Sequence, residues 1–346
     1  MSTKVNVGVI GAGRIGTVHA RHLATRIPGA RVVAIADTWK AAAERAAEEL
    51  DIPEVYAEPE PVLENPEIDA VLICSSTDTH AGLIVQAAAA GKHIFCEKPV
   101  DLGLERIDQA LEAVERAGVK LMVGFNRRFD HNFGRLRELI ENGVVGAPHL
   151  LHIISRDPAP PPAAYVKVSG GIFLDMTIHD FDMARFLIGS EIEEVCAYGD
   201  VRISPAIAEA GDIDTALVML RFADGTLGTI DNSRQAVYGY DQRAEVFGSG
   251  GCIRSDNDFP NTAVVSDARG IHTDLPLNFF MERYIGSYIA ELEAFIQCIL
   301  TDSQPPTSGW DGRQALLLGL AAWRSYREHR PVKLSEVTPL ETATTP

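Results

Sequence analysis

A glycine-rich turn directly after the first apolar run constrains the fold more than any other feature of the sequence. The run Val5–Ile10 leads into a segment that fits G-x-G-x-x-G, formed in order by Gly11, Ala12, Gly13, Arg14, Ile15 and Gly16. The first glycine permits a tight turn, the second lets a pyrophosphate approach the backbone, and the third lets a helix pack on the strand. Because N–H groups at a helix start also attract phosphates, this segment predicts a dinucleotide-binding site.

Residues up to about 123 alternate between short apolar runs and helical stretches. The predicted strands are Val5–Ile10, Val32–Ala36, Ala70–Cys74, His93–Cys96 and Lys120–Val123. The predicted helices are Gly16–Arg26, Lys40–Leu50, His80–Ala90 and Leu104–Ala117, with Gly91 and Gly118 as the C-terminal stops of the last two. Nearly continuous apolar strands separated by helices are typical of a parallel sheet buried on both faces. We therefore predict an α/β protein whose first domain, residues 1–123, is a doubly wound parallel sheet of the Rossmann type.

The pattern changes from residue 124, where several predicted strands follow one another without helices between them. These strands are His149–Ser155, Glu194–Val201, Thr215–Phe222, Thr226–Ser233 and Ala244–Gly248, and the predicted helices are Phe133–Asn142, Met176–Leu187, Tyr284–Leu300 and Asp311–Glu328. Asp224-Gly225 is a hairpin-turn dipeptide, and the proline-rich stretch Asp157–Ala164 predicts an exposed loop. We predict an α+β domain over 124–335 with a large, mostly antiparallel, open sheet, followed by a flexible tail over 336–346.

Composition excludes several classes of partner. The formal net charge of −17 argues against nucleic acid and anionic lipid, because both are bound largely through Lys and Arg. No apolar run approaches the roughly 20 residues that span a bilayer, and the N-terminus has no signal-peptide pattern. The five cysteines are scattered and include no CxxC pair, which predicts free thiols in a reducing cytoplasm and no zinc site.

Asp37 closes the second predicted strand, about 20 residues after Gly16, where dinucleotide-binding folds place an acidic residue. A carboxylate at this position accepts hydrogen bonds from the adenosine ribose hydroxyls and repels a 2′-phosphate. It therefore predicts NAD rather than NADP as the cofactor. The alternative interpretation is that Asp37 only caps the helix that begins near Trp39.

Two further segments follow predicted strands at the carboxyl edge of the first sheet, where ligands bind in such folds. Ser75, Thr77 and His80 are predicted to line the cofactor ribose or pyrophosphate, although a polar turn with a helix cap would explain them equally well. Glu97 and Lys98 follow the next strand and are predicted to lie near the nicotinamide. An ammonium there stabilises negative charge on a reacting oxygen, whereas most lysines simply face solvent.

A second pair of residues suited to catalysis is the D-x-x-x-H pair Asp175 and His179 in the second domain. In a helix, residues four apart share one face, with about 6 Å between their Cβ atoms. A carboxylate beside an imidazole suits general base catalysis at neutral pH. The alternative is that Asp175 is an N-cap and His179 a partly buried structural histidine. Because Asp180 and Asp182 point to other sides of the helix from His179, we predict no metal site.

These motifs together resemble the glucose–fructose oxidoreductase/inositol dehydrogenase/MocA family. The resemblance rests on GAGRIG at 11–16, CEKP at 96–99 and SGGIFLDMTIHDFDMARFL at 169–187, and it extends over roughly residues 1–335. The segments SRDPAPPPAAY (155–165) and NSRQAVYGYDQRAEVFGSGG (232–251) resemble the bacterial inositol 2-dehydrogenases in particular. The resemblance implies a catalytic set that also contacts substrate, formed by Lys98, Asp175 and His179. It further implies substrate contacts from Arg127, Asp157 and Tyr238.

The resemblance also implies an activity: NAD-dependent oxidation of a ring hydroxyl of an inositol to an inosose, in a homotetrameric cytoplasmic enzyme of inositol catabolism. In this hypothesis His179, held by Asp175, removes the hydroxyl proton, and Lys98 stabilises the developing negative charge. Three alternatives remain: a dehydrogenase of the same family that acts on an aldopyranose or another sugar derivative, a non-catalytic NAD-binding regulator, and a methyltransferase that uses S-adenosylmethionine. The methyltransferase would have no use for the EKP and D-x-x-x-H motifs.

Overall fold

The structure, a computed structural model, describes residues 4–340. This part of the chain forms two compact units, one running to Phe129 and including Ser287–Leu316, the other comprising Asp130–Gly286 and the residues from Leu317. Of the predicted tail, residues 341–346 lie outside the described part of the chain. Ordered structure continues past residue 335, because Leu334–Glu336 form a short 3₁₀ helix and Val337 is buried.

The first unit is built on a six-stranded sheet in which every neighbouring pair of strands is parallel. Its strands are β1 Val5–Ile10, β2 Ala30–Ala36, β3 Glu54–Tyr56, β4 Ala70–Ile73, β5 His93–Glu97 and β6 Leu121–Gly124. The strand order is β3-β2-β1-β4-β5-β6, so the direction of winding reverses between β1 and β4. In doubly wound sheets the crevice at this reversal, beyond the carboxyl ends of the strands, is the ligand site. The prediction of a Rossmann-type parallel sheet is confirmed.

Five helices connect these strands: α1 Arg14–Arg26, α2 Lys40–Leu50, α3 Glu60–Glu64, α4 Thr77–Ala89 and α5 Leu104–Ala117. α5 ends as predicted at Gly118, which adopts a left-handed conformation (φ 67°) and donates its N–H to the Glu115 carbonyl. Gly91, two residues beyond the end of α4, also has positive φ (70°). A short 3₁₀ helix, Asn126–Phe129, follows β6.

The second unit is built on a seven-stranded sheet of order β12-β11-β7-β10-β9-β8-β15. Its strands are β7 Pro148–Arg156, β8 Ile192–Asp200, β9 Thr215–Phe222, β10 Leu227–Ser233, β11 Asp241–Gly248, β12 Gly251–Ser255 and β15 Val332–Lys333, while β13 Val264–Asp267 and β14 Gly270–Thr273 form a separate exposed hairpin. Only the β7–β10 pair is parallel, so the prediction of a mostly antiparallel sheet is confirmed. Along β9, buried and exposed residues alternate, which leaves one face open as predicted.

Helices of the second unit pack against this sheet: α9 Thr177–Ile188 contacts β7 and β10, and α6 His131–Glu141 contacts β12. The other helices of this unit are α7 Ala163–Ser169, α8 Ile172–Asp175, α10 Pro205–Glu209 and α11 Phe280–Arg283. Two longer helices follow in the chain: α12 Ile285–Thr301, and α13 Gly309–Glu328, whose residues divide between the two units. The hairpin turn between β9 and β10 is confirmed, because Gly225 has φ 91° and donates its N–H to the Phe222 carbonyl. Within the described residues, no helix is both long and apolar enough to cross a membrane.

Two features of the fold differ from the predictions. We assigned the whole of 124–335 to the second domain, but α12 belongs to the first unit, where Leu292, Phe295 and Ile296 are buried with residues of β1 and β2. The D-x-x-x-H pair is also not on one uninterrupted helix. Asp175 ends α8, and the N–H of His179 in α9 bonds the Met176 carbonyl three residues back, so the helical ladder changes register between them.

Candidate active site

In the first unit, each glycine of the turn after β1 meets a different steric demand. Gly11 has φ 102°, and a Cβ there would lie 2.6 Å from the Cys74 carbonyl carbon. A Cβ on Gly16 would lie 1.9 Å from the Gly11 carbonyl oxygen, so only glycine lets α1 approach β1 so closely. A Cβ on Gly13 would meet no heavy atom within 4 Å, which leaves the backbone open to a ligand. This is the steric arrangement that a bound pyrophosphate requires.

The remaining residues of the turn divide between core and surface. Ala12 is buried, Ile15 packs against the core of the first unit, and Arg14 is exposed at the first position of α1. The first turn of α1 contains no acidic residue, and Gly13 supplies no side-chain cap, so no side chain of the helix itself occupies the N–H groups that a phosphate would use. A role for each of these residues in cofactor binding stays a prediction.

Asp37 connects the end of β2 to the glycine-rich turn. Its Oδ2 accepts the Ala12 N–H at 2.6 Å, and its Oδ1 accepts the Trp39 N–H at 2.8 Å. The second contact lies next to the start of α2 at Lys40, so Asp37 also serves the capping role that we considered as the alternative. Each carboxylate oxygen can accept a further hydrogen bond, so the two ribose hydroxyls of NAD fit this arrangement.

The turn after β4 contains the next predicted cofactor residues. The Ser75 Oγ lies 2.7 Å from the Thr79 Oγ1, and Thr77, half-buried, begins α4. His80 is only 2% exposed; its Nδ1 lies 2.8 Å from the Pro99 carbonyl oxygen and its Nε2 lies 3.0 Å from the Ser75 carbonyl oxygen. Both ring nitrogens of His80 therefore face the backbone, as the alternative of a polar turn predicts, while Ser75 and Thr77 stay candidates for cofactor contact.

The EKP segment begins at the last residue of β5. The Glu97 Oε1 lies 2.6 Å from the His19 Nε2, and the Glu97 Oε2 accepts the Lys98 N–H at 3.2 Å. Lys98 is half-buried, and the bond between Lys98 and Pro99 is cis. The Glu97 carboxylate thus holds the peptide that carries Lys98, a role that we did not predict for it.

In the second unit, two side chains that we did not predict hold Asp175. The Tyr165 hydroxyl donates to its Oδ1 at 2.8 Å, and the Arg234 Nη1 donates to its Oδ2 at 3.2 Å. Arg234 is only 1% exposed, and its Nη2 lies 3.5 Å from the Asp212 Oδ2. Burial, with the negative charge of Asp175, raises the pKa of Tyr165, so this hydroxyl stays protonated and donates. The guanidinium and the hydroxyl together orient the Asp175 carboxylate as an anion.

His179 is half-buried in the first turn of α9. The neighbouring Asp180 is fully buried, and its Oδ2 accepts a hydrogen bond from the Asn232 Nδ2 at 2.8 Å. In the described chain, the set of potential metal ligands brought within reach of one another is His19, Glu97 and Glu291, not the cluster around His179. The prediction that this protein holds no metal stays a prediction.

The three residues implied only by the resemblance occupy separate places. Arg127 is buried in the 3₁₀ helix after β6, in the first unit. In the second unit, Asp157 follows β7, where its backbone bonds Ser233 and Ala236. The Tyr238 hydroxyl donates to the Asp241 Oδ2 at 2.6 Å and accepts from the Arg156 Nη1 at 3.0 Å. The tyrosine hydroxyl retains one acceptor lone pair for a substrate hydroxyl.

Comparison with known proteins adds consistent matches. Residues 5–125 match the GFO_IDH_MocA model, an oxidoreductase family with an NAD-binding Rossmann fold, and residues 133–254 match the C-terminal domain model of that family. The chain is 53% identical over 333 residues to the myo-inositol 2-dehydrogenase of Thermotoga maritima, covering 96% of this chain and 99% of that one. It is 47% identical over 339 residues to the inositol 2-dehydrogenase of Rhizobium meliloti, covering 96% and 99%. The crystal structure of the scyllo-inositol dehydrogenase from Lactobacillus casei, with bound NAD(H) and scyllo-inositol, has a TM-score of 0.90 at 31% identity, covering 96% of this chain and 99% of that one.

Proposed function

This chain belongs to the GFO/IDH/MocA oxidoreductase family. We propose that it oxidises one ring hydroxyl of an inositol to the ketone, an inosose, with NAD as the hydride acceptor. The observation that carries the proposal is the full-length similarity to the myo-inositol 2-dehydrogenase of Thermotoga maritima. The two-domain similarity and the presence of Lys98, Asp175 and His179 weigh against a regulator that only binds NAD.

The first unit supplies the cofactor site. The backbone at Gly11, Gly13 and Gly16 receives the pyrophosphate, because Gly13 leaves the approach open and Gly16 brings the N-terminus of α1 close. The Asp37 carboxylate accepts the adenosine ribose hydroxyls and disfavours the 2′-phosphate of NADP. Bound NAD supplies an electrophilic ring carbon that takes the hydride from the carbinol carbon.

The residues of the chain handle the proton and the charge. His179 accepts the proton of the reacting hydroxyl, and Asp175 orients the imidazole and stabilises the imidazolium that forms. Asp175 can do this because Tyr165 and Arg234 hold its two oxygens. Lys98 stabilises the negative charge that develops on the substrate oxygen as the hydride leaves, and the product is a ketone.

Three further residues are proposed to contact the other ring hydroxyls of the substrate: Arg127, Asp157 and Tyr238. A guanidinium donates, a carboxylate accepts, and the remaining lone pair of the tyrosine oxygen accepts, so together they recognise hydroxyls in both roles. Hydrogen-bonding sites of this kind discriminate strongly against substrates that lack a matching hydroxyl. They are therefore the residues through which stereoisomers would be distinguished.

We also propose a homotetramer assembled through the open face of the second-unit sheet. Large apolar side chains on β7, β9, β10 and β11 are exposed, among them Leu150, Leu217, Met219, Leu227 and Phe247. Contiguous apolar surface of this kind typically marks a protein–protein interface. Light scattering coupled to size-exclusion chromatography tests this assembly, and a monodisperse monomer would contradict it.

We further propose that this enzyme works in the cytoplasm, where NAD is available, at the entry of inositol catabolism. Oxidation of a ring hydroxyl to a ketone is a chemically suitable first step, because the carbonyl activates neighbouring C–H bonds. Growth of a deletion strain on inositol as the sole carbon source tests the pathway, and cell fractionation tests the location.

The test of the activity follows NADH absorbance with myo-inositol, scyllo-inositol, D-chiro-inositol and glucose, each with NAD and with NADP. We expect NADH from at least one inositol with a kcat/KM that exceeds those for glucose and for NADP. A higher kcat/KM for glucose would instead identify a sugar dehydrogenase of the same family. The variant H179N should lose about 100-fold or more in kcat and keep its NAD affinity, while the exposed control H131N should match the wild type. An active H179N would overturn the assignment of the base.

A further inference from the structure

Two buried histidines contact the segment Glu97–Pro99, here called the lysine turn, on either side of Lys98. On the N-terminal side, the His19 Nε2 lies 2.6 Å from the Glu97 Oε1. On the C-terminal side, the His80 Nδ1 lies 2.8 Å from the Pro99 carbonyl oxygen. The two rings come from α1 and α4, the helices that follow the glycine-rich turn and the Ser75 turn. All of these residues belong to the first unit.

His19 is fully buried and lies in an aromatic cage. Its ring makes edge contacts with Phe95 and Tyr288, at centroid separations of 5.4 Å and 5.6 Å. A polar ring in such surroundings needs a strong hydrogen-bond partner, and the Glu97 carboxylate is that partner. The other oxygen of the same carboxylate accepts the Lys98 N–H at 3.2 Å. The Glu97 carboxylate therefore connects the His19 ring to the backbone N–H of Lys98.

A third group, Glu291 of α12, completes this cluster at 4.0 Å from the His19 Nε2. Glu291 is 0% exposed, and among the described residues neither of its carboxyl oxygens has a hydrogen-bond partner. Burial and the nearby charge of Glu97 raise the pKa of Glu291 well above its ordinary value. Glu291 therefore stays protonated to higher pH than an exposed glutamate, beside the bond between Glu97 and His19.

A metal ion is the other way to neutralise two carboxylates beside an imidazole, and the geometry argues against it. Nitrogen and oxygen ligands of a tetrahedral zinc lie about 2.0–2.2 Å from the metal, which sets neighbouring ligand atoms roughly 3.3 Å apart. The 2.6 Å between His19 Nε2 and Glu97 Oε1 is instead the length of a charge-assisted hydrogen bond. This distance fits a direct hydrogen bond between the two groups rather than joint coordination of a metal ion.

On the C-terminal side, His80 connects the lysine turn to the neighbouring strand. Its Nε2 lies 3.0 Å from the Ser75 carbonyl oxygen, so the ring bridges the backbone after β4 and the backbone after β5. Since Ser75 directly follows Cys74, whose backbone packs against Gly11, the bridge also ties the lysine turn to the glycine-rich turn. The Lys98 backbone and the cofactor turn are therefore connected through a continuous series of close contacts.

We propose that His19 and His80 are positioning residues that clamp the lysine turn from its two sides and so hold Lys98 in a single reactive placement. The inference rests on the proposed function, in which Lys98 stabilises charge on the substrate oxygen. A positioning residue of this kind changes kcat more than substrate or cofactor affinity, because it acts on the geometry of the transition state.

The variants are chosen to separate the hydrogen bond from the bulk of the ring. H19F keeps an aromatic ring among Phe95 and Tyr288 but removes the donor, whereas H19Q carries an amide N–H close to the place of Nε2. H22F, one turn further along α1, is the matched control. We expect H19F to lower kcat with inositol by about 10- to 100-fold, with less than a twofold change in the KM for NAD. H19Q should recover most of this loss, and H80F should lose kcat as H19F does.

A second measurement does not depend on inositol chemistry. Hydrogen exchange of the peptide across residues 96–102 reports the Lys98 amide, which donates to Glu97. We expect exchange there to accelerate in H19F and to stay unchanged in H22F. If the wild type oxidises no inositol while exchange responds as expected, the proposed function fails and the clamp stands. If the wild type is active but H19F keeps both kcat and exchange protection, the clamp is wrong. Stoichiometric zinc in the purified protein that H19F loses would overturn it as well.

Discussion

The protonation state of Glu291 gives a quantitative prediction about stability. Its carboxyl is completely buried on α12, and burial with the charge of Glu97 raises its pKa well above the ordinary 4.5. The titratable neighbours that face it are His19 on α1 and Glu97 at the end of β5. The pKa of the nearby Cys74 thiol is raised mainly by burial and further by Glu97, Cys96 and Glu291. Replacing Glu291 by Gln keeps the shape of the neutral acid and removes its ability to ionise.

The direction in which the free energy of unfolding changes with pH follows from the number of protons that the folded and unfolded states bind. Above pH 4.5 the unfolded chain has released this proton, whereas the folded chain retains it until the pH reaches the raised pKa. The folded state then binds one proton more, so the free energy of unfolding falls as the pH rises through this window. The slope for one proton is about 1.4 kcal/mol per pH unit. Relative to E291Q, the wild type should therefore lose stability as the pH rises from 4.5 towards the raised pKa of Glu291, at a slope of at most about 1.4 kcal/mol per pH unit.

The assay is urea unfolding of wild type and E291Q at half-unit pH steps from 5 to 8, followed by tryptophan fluorescence and circular dichroism. The difference between the two free energies of unfolding should widen steadily with pH in favour of E291Q. E293Q, an exposed substitution on the same helix, is the control and should run parallel to the wild type. Parallel curves for wild type and E291Q would refute the reasoning, because they would mean that Glu291 titrates alike in the folded and unfolded chain.

Three further predictions concern the glycine-rich turn, Asp37 and the partner of Asp175. G16A should lower the free energy of unfolding in urea by about 2–3 kcal/mol, because its Cβ would lie 1.9 Å from the Gly11 carbonyl oxygen. A G16A variant as stable as the wild type would show that α1 can move away from β1. D37S should lower the ratio of kcat/KM for NAD over NADP by about 10-fold or more, since charged hydrogen bonds to the ribose are lost, and an unchanged ratio would remove Asp37 from the cofactor site. R234M should destabilise the protein by about 3–5 kcal/mol, because Asp175 loses its buried partner. R234K should recover part of this loss of stability. Equal stability of R234M and the wild type would contradict the ion pair.

Much of the fold could be predicted because it depends on local pattern. The strands of the first sheet are apolar runs of ordinary length, and the turn residues Gly118 and Gly225 stand where the chain needs positive φ. The strand β3 was missed because three residues show no period, and the hairpin β13–β14 was missed because its strands are exposed throughout and have no buried apolar face. The assignment of α12 to the second domain was wrong because sequence order gives no signal that a late helix packs on an early sheet.

The candidate site divides in the same way. Motif and strand position predicted the placement of Gly11 and Asp37, because each follows a parallel strand directly. The partners of Asp175 were not predicted, although Tyr165 and Arg234 both stand in segments that carry the family resemblance. The tertiary fold brings this tyrosine and this arginine, which lie on separate elements, to the same carboxylate. Contacts between residues so far apart in sequence leave no local spacing pattern from which to predict them.

The return of α12 to the first sheet has a consequence for biosynthesis. A ribosome has made every strand of the first unit by Gly124, but the side chains of Leu292, Phe295 and Ile296 that finish its core emerge more than a hundred residues later. During that interval the apolar side chains of the first unit that will pack against these three residues lack their native neighbours. A shortened cofactor domain ending at Phe129 would lack these contacts permanently. To produce this domain alone, α12 would have to be fused to it.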